Sequence, residues 1–206
     1  MIHRFIEKDI LERLLRNDSG RKIVIIYGAR QVGKTTLVKQ LLQALPSLRS
    51  EYFNCDYHDV QSLFAWENAG NLSNVVKNLD LLVLDEAQRI ANIGLVLKIL
   101  HDEFPGLIVI ATGSSSFELS NRVSEPLTGR KVVYNLYPLT FQELNQNETQ
   151  ITRARNLTRV LRFGLYPSVI LEDDKQAQET LYEITSSYLF RDILVFQQLK
   201  RPEILL

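Results

Sequence analysis

Few features in this chain would send it outside a reducing, aqueous compartment. Cysteine occurs once in 206 residues, at Cys55, so no internal disulfide can form. A lone cysteine beside a strand end reads as a small core residue, with a reactive thiol as the rival reading. No apolar run approaches 18 residues, so no membrane span is expected. Met1 to Asp9 mixes both signs of charge without an apolar block, so no secretory leader is expected either. Neither sign of charge is in excess, with Lys plus Arg and Asp plus Glu at 24 each, so global charge does not indicate nucleic acid or a membrane as partner. Internal repeats and low-complexity segments are absent as well. These absences point to the cytoplasm. The remaining composition, 45% hydrophobic and 23% charged, is enough to bury a real core.

The most informative stretch runs from Ile23 to Leu37. Its β-branched opening, Ile23 to Ile26, predicts a buried strand. Gly28, Ala29, Arg30, Gln31, Val32, Gly33, Lys34, Thr35 and Thr36 then follow the phosphate-loop spacing, Gly-x-x-x-x-Gly-Lys-Thr from Gly28 to Thr35. A helical stripe through Leu37, Val38, Leu41 and Leu42 stops at Pro46. In this order the glycines let the backbone curl so that N–H groups converge on phosphate oxygens. The next helix aims its positive end at the same place. Lys34 is expected to reach the β- and γ-phosphates, and Thr35 to hold Mg²⁺ through its hydroxyl.

Within Leu79 to Gln88, four apolar residues ending in Asp85-Glu86 predict a buried parallel strand whose tip carries the two carboxylates. About 50 residues after a phosphate loop, such a tip supplies what that loop lacks. Asp85 is expected to position Mg²⁺, and Glu86 to polarise the attacking water. The bland reading of Glu86 is an acid near a helix start. Leu107 to Ala111 predicts another strand, which delivers Thr112 and Ser114 as sensors of the γ-phosphate, Ser114 first; a Ser-rich helix cap is the rival. Arg130, just before a fifth strand at Lys131 to Leu136, is expected near the rim of the site, where it can act on a neighbouring subunit's nucleotide; Arg122 is its competitor.

Other stretches read as structural. Residues 5–16 form an amphipathic helix. Ser50 to Asn54 forms a strand, and residues 59–77 are helical or irregular, with Leu63, Phe64, Trp66, Leu72, Val75 and Val76 on the buried side. Asp56, His58 and Asp59 read as turn and capping residues rather than metal ligands. From Thr140 the pattern is helical only. Arg155, Arg159 and Arg162 form a solvated face with phosphate contact as the rival, and a long helix covers 174–198.

Several segments together resemble one family: Tyr27 to Leu37, Leu84 to Gln88, Ala111 to Ser116, Leu127 to Arg130, Leu136 to Leu144 and Phe163 to Pro167. The chain is similar to the prokaryotic AAA-type ATPases that carry a C-terminal domain of unknown function, relatives of the archaeal and STAND-type ATPases. The resemblance implies an α/β P-loop NTPase core of the additional-strand, conserved-glutamate type, with parallel strands in the order 5-1-4-3-2 and a helical lid. The change to a helical pattern sets the boundary at about residue 138, giving a core at residues 1–137 and, on the resemblance, a lid with the start of a linker at 138–206, cut before that C-terminal domain. Gly164 and Pro167 match a lid turn near the nucleotide in STAND relatives, but two residues separate them here where those relatives have one.

The expected activity is Mg²⁺-dependent ATP hydrolysis, with ATP or ADP, a second copy of the chain and an unidentified protein as partners. ATP over GTP rests on the resemblance. The alternative is a slow STAND-like nucleotide switch that sets the state of an attached domain. A helicase is a further alternative, because Asp85-Glu86-Ala87-Gln88 also resembles helicase motifs. The chain is too short for a second RecA-like domain and lacks aromatic-basic stacking platforms.

Overall fold

The computed structural model describes residues 2–16, 23–65, 69–114 and 127–189. They divide into two compact units, one containing Phe5–Ala29 and Lys34–Leu136, the other residues 2–4, 30–33 and 137–189.

The first unit is a five-stranded parallel sheet with helices. Its strands are β1 (Ile23–Tyr27), β2 (Ser50–Asn54), β3 (Leu81–Asp85), β4 (Ile108–Gly113) and β5 (Lys131–Asn135), in spatial order β2-β3-β4-β1-β5. This is the expected order. Every neighbouring pair is parallel. β1, β3 and β4 lie inside the sheet and are buried along their whole length, which is why they read as unbroken apolar runs rather than alternating ones. β2 and β5 are the edges and keep polar or exposed positions. The helices are α1 (Phe5–Leu14), α2 (Lys34–Ala44), α3 (His58–Leu63), α4 (Ala69–Val76) and α5 (Ile93–Glu103). Val96, Leu97 and Leu100 of α5 pack with Leu82, Leu84 and Val109 into one apolar cluster that also takes in Phe64, Leu72 and Val76. Leu63 departs from the expected buried side and is 44% exposed, while Trp66 lies outside the described residues.

Because all five strands run parallel, their carboxyl ends share one edge of the sheet. Tyr27, Asp85 and Gly113 end their strands there. This is the edge where open α/β sheets bind ligands.

The second unit is helical: α6 (Phe141–Leu144), α7 (Gln150–Phe163), α8 (Pro167–Ile170) and α9 (Asp174–Glu183), followed by a π-type turn at Ile184–Leu189. Thr140 and Glu143 form a reciprocal capping box on α6. Thr149 and Asp173 cap α7 and α9. Gly164 ends α7 at φ 77°, a conformation that favours glycine. Phe163, Val169, Ala177 and Ile184 form its small core. The part of the long expected helix beyond residue 189 lies outside the described residues. Among the described residues no helix is long and apolar enough to cross a membrane.

Candidate functional site

β1 delivers Gly28 to the carboxyl edge. A Cβ at Gly28 would lie 2.6 Å from the carbonyl oxygen of Leu136, so only glycine lets the two backbones approach this closely. The curl of the loop lies further on. Gln31 sits at φ 63° and Gly33 at φ 97°, so one of the two left-handed residues is a glutamine that the motif spacing did not single out. Lys34 opens α2 and is only 5% exposed. Its Nζ donates to the carbonyls of Gly28 (2.9 Å) and Ala29 (3.1 Å) and stands 3.7 Å from Glu86 Oε1.

Asp85 at the tip of β3 is 2% exposed. Three hydroxyl groups converge on it. Thr35 Oγ1 donates to Oδ2 at 2.7 Å, Tyr52 donates to the same oxygen at 2.5 Å, and Thr112 donates to Oδ1. Burial and the bond to Asp85 both push the Tyr52 phenol well above its ordinary range, so it serves as a donor at neutral pH. The Cys55 backbone N–H donates to the Asp85 carbonyl at 2.9 Å, and burial pushes the Cys55 thiol up to about 12. A protonated thiol in the apolar cluster is the small core residue expected at this position.

Glu86 follows in the left-handed region at φ 54°, ψ 42°. A non-glycine residue held there costs about 1–3 kcal/mol, and surrounding bonds must hold it in place. Its N–H donates to Thr112 Oγ1 at 3.1 Å, so one threonine hydroxyl fixes both acids. Gln88 Nε2 donates to Glu86 Oε2, on the opposite side of the carboxylate from Lys34.

The structure therefore gathers Gly28, Lys34, Thr35, Asp85 and Glu86 at one edge. Thr36 is exposed on α2, and Ala29 is partly exposed beside Gly28. Ser114, expected ahead of Thr112, is buried just beyond β4, and it is Thr112 that touches both acids. The expectation of a rim arginine does not hold within this chain. Arg130 precedes β5, and its carbonyl accepts from Ile23 N–H at the start of β1. That is the amino edge of the sheet, a full strand of about 16 Å from the phosphate loop. There its Nε donates to Asp102 at 2.8 Å. Arg122 lies outside the described residues.

Asp56 pairs with Arg89 at 2.9 Å, and Asp59 accepts from Val60 N–H in the first turn of α3. The expected arginine face is divided. Arg159 donates to the Ile170 carbonyl and Asp174, Arg162 donates to Asp174, both lie over the Phe163 ring, and Arg155 is exposed. The first two hold the helical unit together.

Sequence reasoning missed Tyr52 and Gln88. A signal for Tyr52 existed in the strand pairing: β2 pairs with β3 so that Asn54 faces Asp85, and Tyr52 comes two residues earlier, on the same face of the sheet as Asn54.

A protein family described as an AAA domain matches residues 20–145. An uncharacterized protein of Methanocaldococcus jannaschii is 27% identical over 205 residues, covering 92% of this chain and 45% of its own. A second protein of that organism is 26% identical, with 90% and 46% covered. An uncharacterized Haemophilus influenzae protein is 25% identical, with 90% and 50% covered. The chain spans about half the length of these curated relatives.

Proposed function

As the chain belongs to the AAA domain family, whose members are nucleotide-binding ATPase modules, we propose that it binds ATP with Mg²⁺ and hydrolyses the terminal phosphate. One observation carries this reading: residues about 50 positions apart meet at the carboxyl edge, with Thr35 bonded to Asp85 at 2.7 Å and Lys34 standing 3.7 Å from Glu86.

Each side chain has a role in the reaction. Lys34 already donates to two loop carbonyls, and its ammonium is placed to turn toward β- and γ-phosphate oxygens. Thr35 and Asp85 offer hydroxyl and carboxylate oxygens, the hard donors that suit Mg²⁺, and they would hold it. When bound, the ion neutralises charge on the phosphate oxygens. Glu86 takes a proton from the attacking water as the new O–P bond forms and the bond to the ADP oxygen breaks in line. The products are ADP and inorganic phosphate. Thr112 keeps Asp85 and Glu86 in register during this step.

A second observation favours the slow-switch reading. Both Glu86 oxygens are engaged, one by Gln88 and one facing Lys34, so the base must be released before it can take a proton. A module in this state holds nucleotide and turns it over slowly.

Glu86→Gln separates the readings. Under the hydrolysis reading the variant binds ATP with near wild-type affinity and releases phosphate at least about tenfold more slowly, since a lost general base costs roughly 10²–10⁴-fold. Equal turnover in the two proteins would remove Glu86 from the chemistry. Tight stoichiometric nucleotide without steady phosphate release in the wild type would establish the switch.

A further inference from the structure

We propose that Arg4 is a positioning residue for the phosphate loop: it holds the carbonyl of Val32 and so fixes the direction in which the Gly33 N–H points, without itself touching nucleotide. The inference rests on the nucleotide-site reading above.

Arg4 is 9% exposed, and all three nitrogens of its guanidinium donate hydrogen bonds. Nε donates to Glu143 Oε1 at 3.1 Å, Nη1 to the Val32 carbonyl at 3.1 Å, and Nη2 to the carbonyls of Tyr137 (2.6 Å) and Pro138 (3.3 Å). Only one of these partners is a counter-charge. The other three are backbone oxygens, one of them inside the Gly-x-x-x-x-Gly-Lys-Thr segment. Glu143 is 5% exposed, and its other oxygen accepts from Thr140 N–H at 2.8 Å, so the counter-ion is fixed by the cap of α6.

The effect on the loop follows from peptide geometry. Val32 C=O and Gly33 N–H belong to one planar trans unit and point in opposite directions. A donor that holds the carbonyl on one side therefore aims the amide to the other. A cation on that oxygen also polarises the peptide and strengthens the N–H as a donor. Gly33 at φ 97° completes the turn that gathers amides toward an anion, and Ser168 donates to the Gln31 side chain at 2.9 Å to steady the other flank. The forked guanidinium is required, because a single ammonium cannot reach Glu143, Val32 and Tyr137 together.

Calorimetric titration of wild type, Arg4→Lys and Glu143→Gln with Mg-ATP, Mg-ADP and AMP tests this, alongside the melting temperature of each nucleotide-free protein. Arg4→Lys is expected to weaken ATP and ADP binding roughly tenfold, the size of one charge-assisted hydrogen bond, to leave AMP affinity close to wild type, and to lower the melting temperature by only a few degrees as buried carbonyls lose a donor. Glu143→Gln, which keeps the carbonyl contacts, is expected to stay within about threefold of wild type for every nucleotide. An Arg4→Lys affinity within about twofold of wild type overturns the proposal, as do a large fall in its melting temperature or equal losses in both variants. A wild-type protein that binds neither ATP nor ADP overturns the nucleotide-site reading instead.

Discussion

At the carboxyl edge of the sheet Asp85 is 2% exposed and receives hydroxyl groups from Thr35, Tyr52 and Thr112. At the amino edge Asp102 is 33% exposed and receives Arg130 at 2.8 Å and His101 at 2.9 Å, and Arg49 pairs with Asp80 in the same style. Hydrogen bonds from Arg130 and then His101 hold the Asp102 carboxyl below the usual range. The contrast lies in how charge is answered. The amino-edge acids meet the guanidinium charges of Arg130 and Arg49 in solvent, so little field is left over, and such pairs contribute little to stability. The carboxyl-edge acid is buried among neutral donors, which orient it without cancelling it. Acids at strand ends are common; a buried acid served by neutral hydroxyls is the feature that marks a site.

The largest expected break in this contrast is Lys34→Ala. Removing the Lys34 ammonium is expected to weaken Mg-ATP binding by roughly 100-fold or more, as for the loss of a strong charge-assisted contact. Calorimetry checks this, and unchanged affinity would make the two edges equivalent. Thr112→Val comes next. It strips a donor from Asp85 and an acceptor from the Glu86 N–H at constant shape, for an expected loss of about 1–3 kcal/mol in stability by urea unfolding. Turnover is expected to fall more than ATP affinity. A neutral result would mean that the acids hold their own geometry. Arg130→Ala is the smallest. At a partly exposed pair it is expected to cost at most about 1 kcal/mol and to leave phosphate release unchanged at every protein concentration. Turnover that rises with concentration in the wild type, and is lost in the variant, would assign Arg130 to a neighbouring copy's site and make the amino edge functional too.

The legible part of the chain was its local part. The motif spacing located Lys34 and Thr35, and the apolar run into Asp85 and Glu86 located a strand tip, because both signals are carried by adjacent residues. The strand order came with the family resemblance; periodicity alone does not say which strands are neighbours. Tyr52 stayed hidden because its role depends on the register of β2 against β3, which strand order does not give. Arg4 stayed hidden for a related reason: it lies in an irregular stretch, and its partner Glu143 is 139 residues away. Arg130 is a different kind of miss. A residue just before a parallel strand belongs to the amino edge, opposite the phosphate loop, and that much followed from strand direction without coordinates. The glycines divide similarly. Gly33 supplies a positive φ, as phosphate-loop glycines do, whereas Gly28 is required by the Leu136 carbonyl, more than a hundred residues on.

The long span of the Arg4 clasp bears on the order of events during synthesis. A ribosome adds about 5–20 residues per second, so Arg4 and Val32 emerge seconds before Tyr137, Pro138 and Glu143 exist to complete the clasp. The Ser168 contact to Gln31, spanning 137 residues, comes later still. Contacts this distant in sequence carry a loop-closure cost, as does the pairing of β1 with β5, where Ile23 meets Lys131. Although its motif lies near the start of the chain, the loop therefore acquires its final backbone setting only after the sheet and the helix Phe141–Leu144 have been translated. A stalled or prematurely released chain would carry every residue of the motif with none of these long-range restraints.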